Sequence, residues 1–269
     1  MPALNGLIHI FHSIHPAYSI SGFIVGLLVG LTGVGGGSLM TPLLVILFGI
    51  PATTAVGTDL LYACITKGVG TAVHGFSRTV NWRIVLRLAI GSVPGTAITL
   101  LLLSHYHMQS AGVSTTITTV LGCALILTAV SIVFRKLILN SLAAFTSKLT
   151  ARQTTLFTIA LGAILGILVS ISSVGAGAIG VTFLLILYPK LPAGRLVGSD
   201  IAHAVPLTMV AGIGHWYLGS VDGHLLASLL VGSLPGIVIG SYISSRVPDK
   251  VLRPILAGTL AAVGARLSF

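Results

Sequence analysis

Gly91-Ser92-Val93-Pro94-Gly95 returns 141 positions later as Gly232-Ser233-Leu234-Pro235-Gly236. The same gap-free shift carries Gly57-Thr58-Asp59 onto Gly198-Ser199-Asp200, Pro51 onto Pro192 and His74 onto His215. Ordered matches at one offset mark an internal repeat. They divide the chain into residues 18–134, a linker over 135–153, and residues 154–269. Positive charge does not follow the repeat. The connector 75–82 carries Arg78, whereas its copy 216–223 has no Lys or Arg. Conversely, 49–54 has none, whereas its copy 190–195 has Lys190 and Arg195. Two halves inserted into a membrane in opposite orientations produce this pattern, because short cytoplasmic loops collect Lys and Arg. Inverted repeats of this kind are a common ground plan of secondary transporters.

Composition points to the same solvent. The chain has 269 residues, 55% hydrophobic and only 7% charged, with mean hydropathy +1.07. Soluble domains carry about 25% charged residues. A net charge of +10 raises the question of nucleic acid. The basic residues, however, stand singly or in pairs between apolar stretches and form no stripe, so a nucleic-acid partner is not expected. Cys64 and Cys123 lie within apolar segments without partner spacing and read as small buried hydrophobes. No Lys or Arg precedes the first apolar run, which argues against a cleaved signal peptide.

The first apolar stretch, 18–50, is too long for one ordinary span, and Gly33-Val34-Gly35-Gly36-Gly37 interrupts it. Glycine clusters favour turns over helix, so the stretch reads as two short half-helices in a hairpin. Spans follow over 54–76, 84–103 and 114–134. The second half repeats the plan. A stretch over 155–188 is broken at Gly175-Ala176-Gly177, and spans follow over 196–217, 224–244 and 251–267. The expected fold is an all-α polytopic membrane protein of two inverted-topology repeats, each a broken helical hairpin plus three full transmembrane helices. Twelve of the fourteen Lys and Arg residues fall in four places: 78–87, 135–152, 190–195 and 246–253. Placing all four on the cytoplasmic side requires each broken stretch to enter and return, and puts both termini outside.

Within that plan a few residues stand out. A half-helix beginning inside the membrane presents backbone N–H groups and a positive dipole end to an anion. Gly35, Gly36, Gly37 and Ser38 would line one such end, and Gly175, Ala176, Gly177 and Ala178 the other. The plainer reading of both clusters is close helix packing through small residues. Lys67 sits near the middle of its span, where a charge is costly and usually functional. Asp59, Lys67, Gly70 and His74 share one helical stripe. Asp59 and Lys67 are about 12 Å apart along the axis, so Lys67 looks instead to Asp200 or to a bound anion. A buried structural ion pair is the alternative. Asp59 and Asp200 are candidates for proton coupling, or else helix N-caps with Thr58 and Ser199. His74 and His215 recur by symmetry and are further proton-coupling candidates. Pro94-Gly95 and Pro235-Gly236 suggest symmetric hinges or packing points. His9, His12 and His15, with His105, His107, His215 and His224 on the same side, offer a transition-metal reading. Interfacial, solvated histidines are the plainer one. No nucleophile elbow, P-loop, metalloprotease helix or metal-binding cysteine pattern is present, so neither enzyme chemistry nor a cofactor is expected.

These motifs resemble the TauE/SafE family of sulfite and organosulfonate exporters. Gly33–Gly37, Pro51, Ala55-Val56-Gly57-Thr58-Asp59, Val80-Asn81-Trp82-Arg83 and 91–95 carry the resemblance in the first half. Val197-Gly198-Ser199-Asp200, Val221-Asp222 and 232–236 carry it in the second. The resemblance covers nearly all the chain after the first twenty residues. It implies a secondary carrier for small sulfur oxyanions or sulfonates in a bacterial cytoplasmic membrane, commonly described with eight spans. The family often has Asp where Asn81 stands and Ser where Asp59 stands, so no coupling role falls on Asn81. Asp59 and Lys67 resemble a subgroup feature, implying a narrower or different substrate.

The expectation is therefore a transporter, of exporter type, for sulfite or an organosulfonate. It would work by alternating access, with Gly35, Gly36, Gly37, Ser38, Lys67, Gly175, Ala176 and Gly177 around the substrate. A transition-metal carrier and an anion channel are the alternatives. Partners are the small anion, the bilayer and, through small-residue faces, a second copy of the chain.

Overall fold

Backbone in hydrocarbon must satisfy its own hydrogen bonds, and helix is how a single segment does so. The computed structural model describes residues 15–32, 37–76, 80–105, 111–135, 137–139, 141, 149–243 and 249–268. Its helices in the first half are α1 (Pro16–Thr32), α2 (Gly37–Phe48), α3 (Ala52–Phe76), α4 (Trp82–Ser104) and α5 (Ala111–Val133). Those in the second are α6 (Ala151–Ser172), α7 (Ala178–Leu187), α8 (Ala193–Tyr217), α9 (Gly223–Ile243) and α10 (Asp249–Ser268). Five of them, α4, α5, α6, α8 and α9, are long and apolar enough to cross a membrane. Ile20, Leu86, Ile98, Leu101, Leu156 and Ile164 are large, apolar and exposed. A water-soluble surface would not carry so many, whereas lipid accepts them freely. The protein is an integral membrane protein.

Lipid exposure also corrects the reading of the cysteines as buried. Cys123 is exposed on α5 and Cys64 is half-buried. In a membrane, apolar side chains face outward as readily as inward.

Glycine seams set the helix pairs. Added Cβ atoms at Gly22, Gly26 and Gly30 of α1 would strike Leu229, Ser233 and Ile237 of α9. Reciprocally, Gly232, Gly236 and Gly240 of α9 meet Ser19, Phe23 and Leu27. Glycine every fourth residue on both helices lets the backbones touch. The contacts rise together in residue number, so α1 and α9 run parallel. The pair α4 and α6 is built the same way. Leu88 meets Gly162 and Ser92 meets Gly166, again in parallel. In contrast, Gly57 of α3 meets Ser220 just past α8, and Leu61 meets Gly212, so α3 and α8 run antiparallel. Leu60, Leu88, Leu165, Leu184, Leu196 and Leu207 fill the core between these elements.

The second break forms where the glycines predict it, but α6 is not a half-helix. It runs 22 residues to Ser172, and only α7, at 10 residues, is short. Ser173 (φ 57°), Gly175 (φ 120°) and Gly177 (φ 136°) turn the chain. Left-handed geometry is routine only for glycine, so positions 175 and 177 require it. Tyr188, just past α7, bonds Thr158 Oγ1 of α6 at 2.9 Å and accepts from Arg87 Nη1 at 3.0 Å. From Thr158 to the break is about 21 Å of helix, less than the roughly 30 Å hydrocarbon thickness. The paired part of the hairpin is therefore shorter than a full span, although α6 as a whole is long enough to cross. The corresponding glycines of the first half, Gly33–Gly36, lie outside the described residues.

Candidate functional site

The central antiparallel pair, α3 and α8, carries the polar residues. Both helices are 25 residues long. Asp59, Asp200 and His203 are at most 1% exposed, and Lys67 is 6% exposed. Asp59 and Asp200 are not N-caps: their helices begin at Ala52 and Ala193, two turns earlier. The neighbouring hydroxyls instead tie down the connectors. Asn81 N donates to Ser199 Oγ at 2.8 Å, and Asp222 N donates to Thr58 Oγ1 at 3.0 Å. The caps are the connector residues themselves. Asn81 accepts from Arg83 N at 3.2 Å, and Asp222 Oδ1 accepts from His224 N and Leu225 N at 2.9 and 3.0 Å. Asn81 and Asp222 are related by the same 141-residue offset, and so are Thr58 and Ser199.

Lys67 reaches the second break. Its Nζ donates to the carbonyl of Ala176 at 3.4 Å. Both Asp200 and Asp59 act electrostatically on it. Lys67 thus meets the Gly175–Gly177 turn inside the protein, with Asp59 of α3 and Asp200 of α8 near enough to act on it. Thr41 of α2 donates to Asp59 Oδ2, and Ser173 at the head of the turn faces the same carboxylate. Among the described residues, Asp59 Oδ1 has no hydrogen-bond partner, nor has Asp200 Oδ1. Asp200 packs on Gly180 in the first turn of α7, where an added Cβ would strike its Oδ1. Helix N-termini carry unpaired N–H groups and favour negative charge. The α7 end therefore already faces a carboxylate.

Other predicted site residues are distributed as follows. Gly35 and Gly36 lie outside the described residues, as do the side chains of Ser38 and His74. Gly37 opens α2. His215 is buried near the C-terminal end of α8 and pairs Nε2 with Ser170 O at 2.9 Å. Pro94 and Pro235 sit inside α4 and α9. Gly95 and Gly236 lie in the glycine seams, against Ala163 and Phe23 respectively. His9, His12 and His107 lie outside the described residues. Among the described residues no group of three or more His, Cys, Asp or Glu is placed to hold a metal ion.

Sequence reasoning passed over His203, Tyr62 and Ser92. His203 Nε2 bonds Ser92 Oγ at 2.8 Å. Tyr62, its counterpart at the 141-residue offset, faces Ser233, the counterpart of Ser92. The signal was available: applied to polar residues as well as to glycines, the offset pairs 62 with 203 and 92 with 233.

The sulfite exporter TauE/SafE family matches residues 18–267. A probable membrane transporter protein of Bacillus subtilis, YjnA, is 39% identical over 254 residues, spanning 92% of this chain and 97% of its own. A second, YdhB, is 30% identical over 255 residues, with the same coverage. The probable membrane transporter protein MJ0441 of Methanocaldococcus jannaschii is 26% identical over 265 residues, covering 93% of both chains. No solved structure matches the chain. With its membrane-spanning helices, and matched over nearly its whole length, the chain is a membrane transporter belonging to the sulfite exporter TauE/SafE family.

Proposed function

We propose that the protein carries a small oxyanion, sulfite or an organosulfonate, across the bacterial cytoplasmic membrane by alternating access. Export is the direction proposed, and the family's description as sulfite exporter supports it. The observation that carries this reading is Lys67, a buried cation at the Gly175–Gly177 turn between two buried carboxylates. Its ammonium and the amides of the turn would hold the anion.

Charge counting supports proton coupling. With Asp59 and Asp200 both ionised, the three side chains sum to one negative charge and repel an anion. With both protonated, the sum is one positive charge and attracts it. At an effective dielectric constant near 20, two unit charges about 4 Å apart interact by about 4 kcal/mol, enough to decide binding. The anion would therefore enter together with protons on Asp59 and Asp200.

Helix directions support the inverted repeat. Halves inserted the same way round would make α1 and α9 antiparallel and α3 and α8 parallel. The contacts run the other way on both counts. The parallel α4–α6 pair fits the inverted arrangement as well. The parallel pairs α1–α9 and α4–α6 each join one helix from each half. They would move as units against the α3–α8 centre, with Pro94 and Pro235 as flex points. The termini would lie outside.

The test is uptake of radiolabelled sulfite by proteoliposomes with and without a pH gradient, wild type beside Lys67→Ala. Gradient-stimulated uptake that Lys67→Ala abolishes is expected. Uptake at the normal rate in Lys67→Ala would remove the site. Flux indifferent to the gradient and too fast for alternating access would mark a channel.

A further inference from the structure

His203 is fully buried on α8, three residues from Asp200 and therefore on the same side of the helix. One ring nitrogen is occupied: Nε2 pairs with Ser92 Oγ of α4. The other, Nδ1, is buried and has no hydrogen-bond partner among the described residues. Leaving such a group unpaired costs about 1–3 kcal/mol, so an orphan at the centre of a transporter calls for an occupant. Its surroundings indicate the occupant's chemistry. Lys67 is the charge that acts on the ring, and Asp200 Oδ1 on the same helix is likewise unpartnered.

The ring's orientation is set by Ser92. When the Ser92 hydroxyl donates to Nε2, the ring proton sits on Nδ1, which becomes a neutral donor pointing away from Ser92. A neutral N–H beside an ammonium suits an oxyanion, since it adds a hydrogen bond without adding charge. At the related position of the other half, the Tyr62 hydroxyl is likewise buried without a hydrogen-bond partner among the described residues. Its phenol faces Ser233.

We propose that His203 contacts the transported oxyanion through Nδ1, with Ser92 as the positioning residue that holds the ring and its tautomer. This rests on the anion-carrier reading above. Lys67 supplies charge, and His203 supplies direction.

Two near-isosteric substitutions separate contact from scaffolding. In His203→Asn the amide nitrogen replaces Nδ1 and the Ser92 bond is lost. In His203→Gln the amide replaces Nε2, keeping the Ser92 bond and losing the group at Nδ1. Sulfite uptake is measured in proteoliposomes as KM and maximal rate. The proposal expects His203→Gln to raise KM about ten- to hundredfold, as loss of a hydrogen bond to a charged group does. His203→Asn, which keeps a donor at the Nδ1 position but loses its positioning by Ser92, should raise KM by less than His203→Gln does. The opposite ranking, Gln normal and Asn impaired, makes His203 a structural tie and overturns the proposal while leaving the anion carrier intact. Wild-type vesicles that take up neither sulfite nor an organosulfonate overturn the carrier reading, and this proposal with it. Should either variant fail to fold, ¹⁵N spectra of histidine-labelled wild-type protein decide. Sulfite must shift the His203 Nδ1 resonance more than Nε2, and a shift confined to Nε2 or no shift refutes the contact.

Discussion

Gly95→Ala and Gly236→Ala distinguish a seam from a hinge. A Cβ at Gly95 would lie 2.7 Å from the carbonyl oxygen of Ala163 and 3.4 Å from its carbonyl carbon. Ordinary carbon–oxygen contact is about 3.3 Å or longer, so α4 and α6 must part by about 0.6 Å. At Gly236 the Cβ would strike Phe23 O and lie 3.0 Å from Leu27 N, so α9 must lift from α1. Overpacking of this kind costs about 1–3 kcal/mol. The helical preference of alanine over glycine returns about 0.5–1 kcal/mol. A net loss of up to about 2.5 kcal/mol, at about 2–4 °C per kcal/mol for a chain of this size, lowers the melting temperature by up to about 10 °C. Scanning fluorimetry of the detergent-solubilised protein reads this directly, through Trp82 and Trp216. Gly112→Ala and Gly258→Ala are the controls, because nothing lies within 4 Å of a Cβ at either site. They should melt at or slightly above wild type. If Gly95→Ala also melts at or above wild type while its uptake slows, the seam argument fails and the Pro94-Gly95 step is a flex point.

Two shorter predictions accompany the tests of Lys67 and His203. Gly180→Ala would drive a methyl into Asp200 Oδ1. It should abolish sulfite uptake in folded protein, and normal uptake would show that the Asp200–α7 contact is dispensable. Single cysteines in a Cys64→Ser, Cys123→Ser background test orientation. Lys190→Cys should react with a membrane-impermeant maleimide only from the cytoplasmic side and Tyr217→Cys only from outside, and labelling of both from one side would rule out the inverted topology.

Much of the scaffold was legible because its constraints are local. Gly175 and Gly177 need backbone angles that only glycine adopts freely, so the break could be read from two letters. The long apolar runs had to be helices in lipid. The extent of α6 was not legible, because its first turns project beyond the hairpin and nothing local marks that depth. The capping roles went to Asn81 and Asp222 rather than to Thr58-Asp59 and Ser199-Asp200. A capping sequence is recognised by where its helix begins, and the helices start two turns before Asp59 and Asp200. Lys67, Asp59 and Asp200 stood out as rare charges, yet the contact of Lys67 with Ala176 depends on helix pairing across 109 residues. His203 was hidden because a lone histidine among alanines carries no pattern of its own. The signal that could have marked it was the 141-residue offset, which pairs it with Tyr62 and pairs Ser92 with Ser233.

The two halves share a scaffold but not a site. Thr58 and Ser199 hold the connectors identically, and the parallel seams α1–α9 and α4–α6 repeat each other. At the centre the symmetry is broken twice. Lys67 is matched by Thr208, and Tyr62 by His203. On the proposed mechanism this division of labour has a physical reason. Alternating access by inverted repeats requires inward and outward states of similar energy, and near-identical scaffolds provide that, since each half can take the other's conformation. A fully symmetric site would place two lysines together. Their mutual repulsion at about 4 Å would cost about 4 kcal/mol at an effective dielectric constant near 20. One lysine from the first half and one neutral donor from the second avoid that repulsion. They also let a single anion stay bound to both central helices while the seams rock around it.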